Sequence, residues 1–179
     1  LLAMACVRGS VAAARLLIER GANIDERDGT NRLTPLMWAC HAGTTEMVAL
    51  LLESGADPTL RSETSFTPLM MTCCTNADDE DDFVAIIRLL LKDARVQVDA
   101  RHHRGMTALW FTASAGFYER TRVLLEEGMA DHSIAVDGVT LLALVRYHKH
   151  QDCVRLLKVG DRQGGGVVHM AVFGWNARA

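Results

Sequence analysis

Thr34-Pro35-Leu36-Met37 returns 33 residues later as Thr67-Pro68-Leu69-Met70. Thr107-Ala108-Leu109-Trp110 follows after a step of 40, and Thr140-Leu141-Leu142 after a further 33. A second marker runs in phase with the first. Leu16-Leu17-Ile18, Leu50-Leu51-Leu52, Leu89-Leu90-Leu91 and Val123-Leu124-Leu125 start 34, 39 and 34 residues apart, and Leu156-Leu157 continues the series. Gly21-Ala22, Gly55-Ala56 and Gly128-Met129 close three of the units, with Ala94 and Gly160 at the equivalent place in the other two. A fixed period of this length is the mark of a stacked array, in which each unit buries its apolar side only against its neighbours.

Each unit reads as two short helices. Thr before Pro is a helix start: the hydroxyl accepts from a free first-turn amide, and Pro at the first helical position loses no hydrogen bond. First helices are predicted at 2–8, 35–42, 68–75, 108–115 and 141–147. Second helices are predicted at 11–19, 45–53, 82–92, 119–127 and 151–158, with a glycine stop expected after those that Gly21, Gly55 and Gly128 follow. Met47, Leu50 and Leu51 repeat with helical spacing, as do Ile86, Leu89 and Leu90. Segments this short are marginal alone in water, so stacking must hold them.

The pattern Thr-Pro-Leu-x-x-Ala, Gly, Val-x-x-Leu-Leu, Gly-Ala at a 33-residue period resembles the ankyrin repeat. The best unit is Thr34 to Gly43, continuing through Val48, Leu50-Leu51-Leu52 and Gly55-Ala56-Asp57. The tetratricopeptide repeat has a similar period, but its Trp…Leu-Gly…Tyr pattern is absent. The resemblance implies an all-α solenoid of paired short antiparallel helices joined by hairpin-like tips. One domain is expected over 1–179, with units at about 1–27, 28–60, 61–100, 101–133 and 134–163 and a partial unit at 164–179. The chain departs from the family where His usually follows Thr-Pro-Leu: Ala3, Met37, Met70, Trp110 and Ala143 stand there, and only His169 keeps it. The first unit starts inside its first helix and the sixth is cut short, which reads as a piece of a longer array.

The resemblance also implies a function: non-catalytic binding of a protein or peptide on a concave face built from the tips and the free positions of the first helices. The candidates are Phe66, His103, Arg104 and Met106 at the tips. Trp110, His41, Ser114, Tyr147 and His148 are the candidates on the first helices. Arg101-His102-His103-Arg104 is a compact basic patch suited to an acidic peptide or a phosphate. The alternative is that the chain recruits substrates for, or regulates, a larger multidomain enzyme.

Composition excludes other classes. A net charge of −3 argues against nucleic-acid binding by bulk charge. No run of 18 apolar residues exists to cross a membrane. The five cysteines form no CxxC pair, so neither a disulfide framework nor a zinc ribbon fits. Reduced thiols are expected, in an intracellular setting, cytoplasmic or nuclear, for a monomer. His148-Lys149-His150 lacks further ligands at metal spacing. The triple glycine 164–166 lacks the Lys-Ser/Thr of a phosphate loop. No catalytic constellation, metal or cofactor is expected. The 40-residue step comes from an acidic insertion, Ala77–Asp82, with five consecutive acids from Asp78. It reads either as a docking loop for a basic partner or as a solvated loop whose excision leaves folding intact.

Overall fold

The computed structural model describes residues 1–29, 31–76 and 80–161. His169 and the partial sixth unit lie outside them, as do Asp78 and Asp79. The helices alternate between two layers. The first layer holds α1 (Leu2–Val7), α3 (Pro35–Ala42), α5 (Pro68–Cys74), α7 (Ala108–Ala115) and α9 (Leu141–Tyr147). The second holds α2 (Val11–Glu19), α4 (Thr45–Glu53), α6 (Glu80–Leu91), α8 (Tyr118–Glu126) and α10 (Gln151–Asp161). Each helix packs on its counterpart in the next unit, and each first helix on the second helix of its own unit.

The threonine starts work as their chemistry demands. The hydroxyls of Thr34, Thr67, Thr107 and Thr140 accept from the amides of Met37, Met70, Trp110 and Ala143, at 3.2–3.3 Å. Pro35 and Pro68 follow at the first helical position. Leu36, Leu69, Leu109 and Leu141 from the first layer and Leu51, Leu90, Leu124 and Leu157 from the second are all buried in one apolar core. Gly43 ends α3 at φ 70°, and a Cβ there would stand 2.8 Å from the Phe83 ring of the next unit. Only glycine satisfies both the left-handed backbone and the close approach.

The tips form a ribbon. The Glu63 amide donates to the Asn31 carbonyl (2.9 Å) and the His103 amide to the Thr64 carbonyl (3.2 Å). In the fifth unit the tip is a true hairpin, β1 (Ala135–Val136) paired antiparallel with β2 (Val139–Thr140). Its two-residue turn, Asp137-Gly138, has positive φ at both positions, the turn whose twist matches the strands.

The third unit departs from its predicted bounds. The second helix of the third unit begins at Glu80, two residues before the predicted start. Glu80, Asp81 and Asp82 form its first turn, where carboxylates suit the free amides. Glu80 then reaches 40 residues along the chain: its Oε2 lies 2.9 Å from Nε of Arg120, and its Oε1 accepts from the Arg120 amide at 3.3 Å. Arg120 is 0% exposed. Its Nη1 donates to the carbonyls of Thr75 (2.7 Å) and Thr72 (3.3 Å). Its guanidinium lies between the Phe83 and Phe117 rings, 4.1 and 4.2 Å from their centroids. The Thr45 hydroxyl donates to Asp82 at 2.6 Å. The end of the acidic insertion therefore neutralises a buried cation, and excising Ala77–Asp81 removes its counter-ion.

Candidate protein-interaction face

Each of α3, α5 and α7 touches first helices on both flanks and a second helix behind, so one side stays open to solvent, and α1 and α9 continue the layer at its ends. One residue of each unit marks that side at the same repeat position: Val7, His41, Cys74, Ser114 and Tyr147. Ser114 is half-buried and the other four are exposed, Tyr147 at 79%. The row is not isolated from the frame. His41 Nδ1 lies 3.0 Å from the Thr75 hydroxyl, linking the second and third units. Ser114 donates to the Phe111 carbonyl at 3.2 Å. The Tyr147 ring stands edge-on to His148, with centroids 5.4 Å apart.

Charge divides between the layers. None of α1, α3, α5, α7 and α9 carries a carboxylate, whereas every one of α2, α4, α6, α8 and α10 does. In the second layer Arg88 pairs with Glu127, Arg122 with Glu119 and Glu126, and Arg155 with Asp152. At the ends of the first helices, Arg8, Arg146 and Lys149 are exposed and form no ion pair among the described residues.

The tips of the third and fourth units bring four of the predicted residues together, in unequal states. His103 is exposed, and its Nδ1 lies 3.1 Å from the Thr64 carbonyl. A carbonyl oxygen can only accept, so Nδ1 carries the proton. Arg104 is exposed and unpaired among the described residues. Phe66 and Met106 are half-buried rather than free. Phe66 packs on His102 and Phe111, each ring pair 5.3 Å apart. Truncating Phe66 therefore costs packing as well as contact area.

Trp110 is a correction. It is 3% exposed and belongs to the core, so it cannot meet a partner. It occupies the place after Thr-Pro-Leu where the family has His, and an indole there fills the junction between units by packing. The cysteines divide as well. Cys6, Cys40, Cys73 and Cys153 are buried and Cys74 is exposed. Burial pushes the Cys6 thiol up to about 11 and the Cys40 thiol up to about 12. Among the described residues no three of His, Cys, Asp and Glu stand where they would hold a metal ion, and no helix is long and apolar enough to cross a membrane.

Sequence reasoning missed His102 as a distinct group and missed Arg120 entirely. Arg120 had a signal: in phase with the leucine marker it falls in a column otherwise filled by Ala13, Met47, Ile86 and Cys153. A cation in an apolar column calls for a counter-ion, and the surplus acids of the preceding unit contain it.

Residues 2–98 match the model of ankyrin repeats in three copies. The chain is 32% identical over 129 residues to ankyrin repeat and KH domain-containing protein mask-1 of Caenorhabditis elegans, covering 71% of this chain and 5% of that protein. It is 34% identical over 89 residues to ankyrin repeat and SAM domain-containing protein 6 of Rattus norvegicus, covering 50% of this chain and 10% of that one. Over 69 residues it is 39% identical to palmitoyltransferase ZDHHC13 of Mus musculus, 38% of this chain and 11% of the enzyme. The chain thus spans a small fraction of the length of these relatives.

Proposed function

Because this chain belongs to the ankyrin-repeat family, whose repeats are protein–protein interaction modules, we propose that it captures a partner protein or peptide on the open side of its first-helix layer and its tips. It does so as a monomer and without chemistry of its own. The observation that carries this reading is the open row itself. Val7, His41, Cys74, Ser114 and Tyr147 share one repeat position yet have nothing in common chemically, while the leucine columns facing the core stay apolar. Stacking dictates the core columns and leaves this one free to suit a ligand.

The partner segment is acidic in this reading. Arg146 lies in α9, Lys149 just beyond it and Arg104 in the tip before α7, all three unpaired among the described residues, and an incoming Asp or Glu meets no repulsion from the first helices. A second reading, recruitment or regulation within a larger enzyme, draws support from the match to a palmitoyltransferase of which this chain covers only 11%. In that case the same face would do the recruiting.

A displayed library of random 12-residue peptides tests the reading. The expectation is enrichment of acidic sequences, with affinity for the protein that falls as salt rises. Tyr147→Ala combined with Arg104→Glu should weaken the selected peptide at least about tenfold, since an exposed aromatic and an arginine are the residue types that anchor interfaces. Glu126→Ala, on the second layer, should change nothing. Equal losses for both variants would move the binding face elsewhere.

A further inference from the structure

We propose that His102 makes the tip of the fourth unit sensitive to pH, its protonation releasing the turn that presents His103, Arg104 and Met106. The inference rests on the open face and tips being the binding surface, and it adds a means of regulating that surface.

Three successive tips are closed by the same device with three different acceptors. In the second unit, Asp28 Oδ1 accepts from the Leu33 amide at 2.9 Å. In the third, Ser62 Oγ accepts from the Phe66 amide at 3.0 Å. In the fourth, His102 Nδ1 accepts from the Met106 amide at 3.1 Å. The main chain closes alongside in each: the amides of Asp28, Ser62 and His102 donate to the carbonyls of Leu33, Phe66 and Met106, at 2.9–3.0 Å. A hydroxyl accepts at any ordinary pH, and a carboxylate does so down to about pH 4. Imidazole accepts only while Nδ1 keeps its lone pair, and protonation turns that acceptor into a donor. An N–H of His102 would then face the N–H of Met106.

The surroundings add to the effect. His102 is 5% exposed, in a triangle with Phe66 and Phe111 whose ring centroids lie 5.3–5.4 Å apart. The charged or titratable groups acting on it are His103, with its ring 4.7 Å away, and Arg104; no carboxylate is among them. Burial lowers the tendency of His102 to take a proton, and His103 and Arg104 lower it further, outweighing an opposite pull from the Met106 backbone. A cation beside two phenyl rings gains some attraction, yet that cannot give the Met106 amide back its acceptor. The neutral ring is favoured in the folded chain, so below the ordinary histidine value of about 6.5 the unfolded chain binds the extra proton. The stabilisation is whole above that value and is lost as pH falls toward the lower folded one.

Nuclear magnetic resonance of the whole chain between pH 7.5 and 5.0 decides this without any partner. The His102 ring should titrate below the ordinary range, and the Met106 and Gly105 amides should shift with the same midpoint. Protection of the Met106 amide from hydrogen exchange, corrected for the intrinsic rate, should fall about tenfold, the loss of one hydrogen bond. His102→Ser, which copies Ser62, should keep the turn and abolish the inflection. Should that variant misfold, His103→Gln serves, and the inflection must survive in it. Flat amides, an inflection persisting in His102→Ser, or one vanishing with His103→Gln would each overturn the proposal. If the tip opens at low pH but an acidic peptide stays bound as tightly, the switch stands and the binding face has been misplaced.

Discussion

Replacing Glu80 with glutamine leaves the shape of the side chain but withdraws the only carboxylate paired with Arg120 among the described residues. Removing one partner of a fully buried ion pair costs about 3–5 kcal/mol. Two features of this pair reduce that figure. The Glu80 side chain is 31% exposed, so water screens part of the attraction. Arg120 also keeps the Thr72 and Thr75 carbonyls and both phenyl rings. Against that, its Nη2 has no hydrogen-bond partner and its Nε contact with Glu80 is short but poorly angled, so little spare solvation exists. A loss of about 2–3 kcal/mol is expected for Glu80→Gln, read as a lower midpoint in urea unfolding followed by circular dichroism. Arg120→Met should cost about 1–2 kcal/mol, because it leaves two carbonyls without their donor but removes the charge that needs neutralising. The double variant should cost less than the two added together, since methionine no longer needs the carboxylate. Strict additivity, or a Glu80→Gln loss below about 0.5 kcal/mol, would refute the view that the insertion neutralises the core.

Deleting Ala77–Asp81, which removes Glu80, should lower the unfolding midpoint at least as far as Glu80→Gln does; an unchanged midpoint would restore the view of a dispensable loop. Leu51→Ala should cost about 2–5 kcal/mol in urea unfolding, because Leu51 is fully buried between the layers. Gly43→Ala should cost about 1–3 kcal/mol through its left-handed backbone and the 2.8 Å approach to Phe83. At pH 8 a thiol reagent should modify the exposed Cys74 first, at a rate held down because partial burial raises that thiol too, and leave Cys6 and Cys40 untouched until denaturant is added, since burial shields those thiols and holds them protonated; fast modification of Cys6 or Cys40 in the folded chain would show that the stack opens locally.

What the sequence determined is what each unit carries within itself. The threonine hydroxyl and the amide it caps are three residues apart, the leucine column recurs by helical spacing, and the glycine stop lies just beyond. These are local relations, and three of the five first helices and two of the five second helices match their predicted bounds to the residue. The tertiary structure decided everything that depends on the neighbouring unit. Trp110 and Tyr147 are both aromatics on first helices, but one fills a junction and the other stands in solvent. His102 and His103 are adjacent, yet one turns inward to close a turn while the other turns outward toward the third unit. Glu80 and Arg120 meet across 40 residues because α6 and α8 stack side by side. Burial and pairing of a side chain are set by the atoms that another unit places against it, and no relation within a single 33-residue repeat contains that distance.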